Sequence, residues 1–248
     1  MMDTSSFSIS QKGCLAANLA FWTASLLNFV ADELAQQSQL PIAKRLRQSK
    51  LQPVFLTRHE LRDVFLLAAL NMILVAPFLC CPLFELLWNW CHPTRLAETD
   101  DWHWQRELIR LPIDMFLNEA SFYIAHWIMH ASPYIYQHVH KVHHRFQAPC
   151  AMAAAYAHPL EFIFGNVAAI GLGPIVTNAH PHTAYTYFAL AILSTCKGHS
   201  GYDILNARTH DDHHRYTKFN FGVLHLGDYI MGTTYTPPHH DKSNNKQP

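Results

Sequence analysis

The chain has 248 residues, enough for one domain or one compact membrane bundle and small for two. Half of them are hydrophobic and 15% are charged, and 18 basic side chains are balanced by 18 acidic ones. That balance excludes the basic footprint of a nucleic-acid-binding protein. Mean hydropathy is only −0.03, but nineteen histidines, mostly in the second half, pull that average down.

Gly13 to Ala31 runs for 19 residues without a charge, long enough to cross a bilayer. Asp32 and Glu33 follow it directly and no small-residue cleavage site is visible, so it reads as a retained membrane helix rather than a signal peptide. Val64 to Phe84 gives 21 more uncharged residues, interrupted by Pro77 and Pro82. Leu108 to Met129 has apolar residues at helical spacing but carries Arg110, Asp114 and Glu119. Charges in a membrane segment usually face a protein interior or a cavity, so this helix is expected to bring its C-terminal turns into a site. Phe162 to Ala179 and Thr183 to Cys196 are two further apolar arms around Pro181, and read as a helical hairpin. The six cysteines include no C-x-x-C pair and read as reduced thiols, not a disulfide framework. The tail from Thr236 is polar and is expected to be disordered.

The histidines fall into boxes. His126 and His130 form H-x-x-x-H; on a helix, residues four apart share a face, so both rings can reach one metal. His140, His143 and His144 form H-x-x-H-H, expected on one helical stripe, and His210, His213 and His214 repeat that pattern seventy residues later. At this histidine frequency one H-x-x-H-H arises by accident in roughly one chain in ten, and two in roughly one in a few hundred. Surface histidines therefore explain the set poorly. Eight imidazoles exceed what one zinc takes, so the boxes point to two metals. Imidazole suits iron, zinc, copper and nickel alike, and ligand type alone does not choose.

The order of the boxes resembles the fatty acid hydroxylase superfamily, the sterol desaturase-like membrane enzymes. Between the boxes, Tyr136 to His144 reads Y-Q-H-V-H-K-V-H-H, Tyr156 to Glu161 reads Y-A-H-P-L-E, His199 to Tyr202 reads H-S-G-Y, and Gly227 to Thr233 reads G-D-Y-I-M-G-T. These segments are similar to the C-4 methylsterol monooxygenase and cholesterol-hydroxylase-like branch. The resemblance implies two iron ions, with zinc able to replace them in recombinant protein, and O2 as co-substrate. It also implies ten ligands: the eight box histidines together with His158 and His199. It further implies a lipid or sterol substrate, a site in the endoplasmic reticulum membrane, and electrons from cytochrome b5 or its reductase. That last point agrees with the absence of a G-x-G-x-x-G dinucleotide fingerprint. Two other readings stay open from the residues alone: a zinc-dependent membrane hydrolase, and a non-enzymatic membrane protein clamped by metal.

The expected fold is an all-α integral membrane protein. It has about four transmembrane helices in two hairpins, with a fifth inserted helix allowed for, and a cytosolic-face helical cap around the di-metal site. Residues 1–104 form the N-terminal hairpin and its loops, 105–235 the catalytic domain, and 236–248 the tail. Ligands before residue 158 and after residue 199 must meet, so the chain between them has to leave the site's side of the membrane and return. The basic residues Lys44, Arg45, Arg47, Lys50, Arg58 and Arg62 after the first helix, against Arg95 and Arg106 after the second, put the first loop in the cytosol. The histidines share that side only if Leu108 to Met129 crosses the membrane. Glu161, Asp211 and Asp212 are candidates to accept the free N–H of ligating rings. His138, His180, His182, His225, His239 and His240 are expected to stay out of the ligand set.

Overall fold

The computed structural model describes residues 7–37, 40–94 and 96–237. Arg95, His239, His240 and the tail beyond Pro237 lie outside the described residues. The described residues are helical, with no strand among them. Helix α1 is Ile9–Gln36, opened by a capping box in which Ser8 and Gln11 satisfy each other's backbone N–H. A short amphipathic helix, α2, covers Pro41–Ser49. Helix α3 runs unbroken over Arg58–Cys91 and starts from a second capping box, Thr57 with Glu60. Pro77 does not break it. The stretch Leu70–Cys80 is wound as a π-helix, whose wider turn absorbs the missing N–H.

Helix α4 is Trp104–Ala131 and α5 is Pro133–His138. Two short 3-10 segments follow, His140–Arg145 and Ala151–Ala155. The predicted hairpin is α6, Pro159–Thr177, and α7, Pro181–Gly198. Asn178 turns the corner in the left-handed region, φ 48°, and Pro181 opens α7 where its missing N–H costs nothing. The hairpin is splayed: α6 packs on α4, while α7 packs along α1. Helices α8, Ala207–Tyr216, and α9, Leu226–Met231, complete the chain.

Among the described residues three helices are long and apolar enough to cross a membrane: α1, α3 and α6. Side-chain bonds show how the helices are stacked end to end. Lys12 meets Glu98, Trp88 meets Asn178, Trp102 meets Thr183, and His180 meets the Asp100 carbonyl, so one end of the bundle holds the start of α1, the end of α3, the start of α4 and the α6–α7 turn. At the opposite end Asn28 binds Ser200 and Ala151, Asp63 binds Arg145, and Asn71 binds the Ala155 and Ala157 carbonyls. Helix α4 therefore starts at one end and finishes at the other, alongside the histidines. The small side chains Ala151, Ala154, Ala155 and Ala157 let this connecting segment lie against Phe21, Ala68, Met72 and Cys196 of α1, α3 and α7. All six cysteines are free thiols, four of them buried.

Candidate metal centre

Nine of the ten predicted histidines converge. Their ring nitrogens form two groups: His126, His130, His140, His144 and His213 in one, His143, His199, His210 and His214 in the other. Within each group the nitrogens lie inside 4.8 Å of one another. His158 stands apart from both; its Nδ1 accepts the Leu160 N–H at 3.2 Å and caps the start of α6. The proline after it keeps it out of helical conformation, which leaves it free to serve as that cap.

The boxes do not each feed one group. From the first H-x-x-H-H, His140 and His144 join the first group and His143 the second. From the other, His210 and His214 join the second group and His213 the first. On α8 helical geometry accounts for the split: positions i and i+4 are nearly in line, whereas i+3 and i+4 point about 100° apart. On a 3-10 turn i and i+3 nearly eclipse, so the division of the first box follows instead from how that turn meets its neighbours. The single stripe expected from spacing is in fact a fork. The first fork sits on a 3-10 turn and the second on α8.

Four rings have a fixed tautomer. The Nδ1–H of His126, His143, His199 and His213 donates to the carbonyls of Phe221, Tyr156, Thr195 and Phe219, at 2.7, 3.1, 2.8 and 2.6 Å. A carbonyl can only accept, so each neutral ring presents a bare lone pair at Nε2. Yet the Nε2 atoms of His143 and His199 face each other at 3.2 Å, and His210 Nε2 is 3.0 Å from His199 Nε2. In the first group His130, His140 and His144 form a triangle with Nε2 separations of 2.8, 3.1 and 3.0 Å. The bare His143 and His199 lone pairs do not attract one another, and no choice of tautomers makes all three contacts of the triangle hydrogen bonds. Protonation is no remedy: burial, reinforced by neighbouring imidazoles, holds His140, His144, His210, His213 and His214 well below the usual histidine range, and His199 down at about 3. A cation at the centre of each group would resolve the conflict. Two nitrogens bound side by side at the usual metal distance lie about 3 Å apart. Both His214 nitrogens and His126 Nε2 are buried without a hydrogen-bond partner. Such a group costs about 1–3 kcal/mol when left empty-handed. The donor set fits two transition-metal ions, with five and four imidazoles each.

The supporting contacts match those expected in part. Glu161 Oε1 lies 2.9 Å from His140 Nδ1. Asp211 instead accepts from Gln52 at 3.0 Å, and Asp212 makes no contact with the rings. Two carboxylates not singled out from spacing matter more. Glu119 accepts the backbone N–H groups of Val223, Leu224 and Gly227 at 2.8, 2.6 and 3.0 Å. Asp228 accepts those of Phe221 and Gly222, both at 2.8 Å, and the Thr233 hydroxyl at 2.7 Å. Together they fix the loop whose carbonyls hold His126 and His213. The visible signal was Glu119 itself, a charge inside an apolar helix. His138, His180 and His182 are away from both groups; His180 caps α7 by accepting the His182 N–H.

A cavity of about 360 Å³ leads from this centre into the bundle. His126, His140, His143, His199 and His210 line one end; Ser10, Cys81 and Phe84 line the other. The walls between are mostly apolar, with Phe21, Met72, Phe122 and Phe162, but Asn18, Asn118 and Asn166 reach it from α1, α4 and α6.

Fold and site together define a helical, membrane-type protein built around paired histidine groups. The fatty acid hydroxylase family model matches residues 111–233. The chain is 31% identical over 220 residues to fatty acid hydroxylase domain-containing protein 2 of Macaca fascicularis, covering 87% of this chain and 63% of that protein. It is 34% identical over 147 residues to a very-long-chain aldehyde decarbonylase of Oryza sativa subsp. indica, covering 53% of this chain and 54% of the relative. It is 32% identical over 146 residues to methylsterol monooxygenase 2-2 of Arabidopsis thaliana, covering 52% and 54%. The chain thus spans less than two thirds of the length of these relatives. No solved structure matches. Residues 111–233 are a fatty acid hydroxylase domain, and the chain belongs with the fatty acid hydroxylase and sterol desaturase superfamily.

Proposed function

We propose that this protein is an integral membrane oxygenase that uses two iron ions to hydroxylate an unactivated C–H bond of a sterol or related lipid. O2 is the co-substrate, and a separate partner supplies the electrons. The observation that carries this reading is the convergence of nine imidazoles, in two adjacent groups, at one end of an apolar cavity. Bound iron would supply the O2 and one-electron chemistry that amino-acid side chains lack.

The chain's own residues do the rest. His126, His130, His140, His144 and His213 would hold one ion, and His143, His199, His210 and His214 the other. The carbonyls of Tyr156, Thr195, Phe219 and Phe221 keep the Nδ1 protons and so aim the Nε2 lone pairs inward. Phe21, Met72, Phe122 and Phe162 exclude water and accept an apolar skeleton. Asn18, Asn118 and Asn166 offer hydrogen bonds to a hydroxyl or carbonyl on that skeleton. Sterol is favoured over a simple acyl chain by the Y-A-H-P-L-E and H-S-G-Y segments and by the methylsterol monooxygenase among the relatives. That is analogy, which transfers chemistry better than substrate.

The domain begins near residue 105 and ends near 235, with residues 1–104 as its membrane scaffold. The exposed Lys44, Arg45, Arg47 and Lys141 support a cytosolic site face, since α2, which carries the first three, ends beside His199, where the Leu51 N–H donates to the Gly201 carbonyl. Cytochrome b5 or its reductase fits the electron-donor role, and the endoplasmic reticulum the location. The test uses membranes containing the protein, a reduced nicotinamide cofactor, the donor and a sterol mixture. Heavy oxygen in the product must come from labelled O2. Label arriving from water, or turnover without O2, makes the protein a hydrolase.

A further inference from the structure

The cavity reaches the surface between two loops, and both carry apolar side chains outward. Leu205 and Asn206 line it from the α7–α8 connection and Thr209 from the first turn of α8; Val223, Leu224 and His225 line it from the loop before α9. Leu205 is 84% exposed, Tyr229 82%, Ile230 68% and Met231 64%. None of these residues lies in α1, α3 or α6, the helices apolar enough to cross a membrane. Large apolar groups clustered around a cavity mouth mark an interaction surface.

The position of α9 says what covers it. Gly227 packs so closely on Tyr123 that a Cβ there would sit 2.6 Å from the ring. Helix α9 therefore lies beside α4 about 12 Å, or eight residues, below the end of that helix. At this depth α4 exposes Ile124, Trp127 and Ile128, and further down Phe116, Ile113, Ile109 and Leu108. That belt runs the length of a helix joining the two ends of the bundle, so it faces lipid. Tyr229, Ile230 and Met231 extend the same belt sideways to the cavity mouth. Leu205 is held outward by its backbone: its φ is 41°, a region a bulky residue adopts only when the surroundings impose it, and Lys197 Nζ grips its carbonyl at 2.9 Å.

We propose that α9 and the loop bearing Leu205 are seated in the lipid leaflet at the level of the histidines, and that the cavity opens there directly into the bilayer. The lipid then reaches the centre sideways, without passing through water. The seating stands on geometry alone; the passage of substrate rests on the lipid-oxidising reading above.

The test places an environment-sensitive fluorophore on Ile230→Cys, and separately on Leu205→Cys, in a Cys91→Ala background, because Cys91 is the exposed cysteine. The unsubstituted background protein gives the blank. In phosphatidylcholine nanodiscs both probes should be quenched by acyl-chain nitroxides and shielded from aqueous iodide. Quenching by iodide but not by nitroxide overturns the seating, as does shielding from both, which would mean a second copy or another protein covers the patch. As a second arm, the double substitution Ile230→Asp with Met231→Asp should raise the apparent KM for a bilayer-dissolved lipid about tenfold. It should leave kcat, and the KM for a detergent-dispersed short analogue, unchanged. An unaltered bilayer KM overturns the access route. Both probes quenched from the acyl chains in a protein inactive on every lipid would keep the seating and reject only the oxygenase reading.

Discussion

The two histidine groups are built to different standards. The first has five rings, is anchored by α4, and is backed by a loop that Glu119 and Asp228 pin through five backbone N–H groups. The second has four rings, none from α4, supported by the Tyr156 and Thr195 carbonyls. Yet three of those four line the cavity, against two of the five in the first group. The richer group reads as the structural anchor of the pair, and the sparser one as the more exposed to substrate.

Single substitutions can break that contrast. The largest effect is expected from His143→Ala, which leaves the second group with three rings. Turnover should vanish and metal content should fall from two ions per chain toward one. The protein should stay in the membrane, because no span is touched. A variant that keeps two ions and its activity would make the asymmetry wrong. His130→Ala removes one of five donors instead. Two ions should remain at high metal concentration, with affinity at the first position lower by at least the roughly 10–100-fold typical of a lost supporting contact. Titration with a competing chelator reads this.

Glu119→Gln comes next. It loses the charge that accepts three N–H groups, loosens the carbonyls behind His126 and His213, and should weaken metal retention about tenfold. Chelator competition on the first group alone should register it, with the second group unaffected. Smallest is His158→Ala. The cap to Leu160 is worth about 0.5–2 kcal/mol, so thermal stability should drop slightly while metal content stays at two. Loss of an ion in this variant would restore the ten-ligand set implied by the family resemblance.

Much of this architecture was legible from residue order. The long uncharged runs gave α1 and α3, and the need for distant ligands to meet gave the α6–α7 hairpin. The same logic left α4 ambiguous, since Arg110, Asp114 and Glu119 interrupt its apolar run. Those charges are turned inside the bundle, where Glu119 accepts three backbone N–H groups, Arg110 meets Glu107 and Asp114 accepts from Thr177 at one oxygen, while the outer face of the helix stays apolar. Spacing also found eight of the nine converging histidines, His199 coming from the family resemblance, but not how they divide. The division depends on the angle at which each box meets its neighbours, which is a tertiary property. For the same reason the π-helical winding around Pro77, and the role of Asp228 behind Phe221, could not be read locally. Each is decided by a partner far away in sequence or by how a whole helix accommodates one missing N–H.

The central claim is that these nine imidazoles hold two ions at once. The most direct measurement is elemental analysis of protein purified gently from its own membranes, set against an accurate protein concentration and with activity retained. The account predicts two transition-metal ions per chain. A fully active preparation with one ion or none would contradict it.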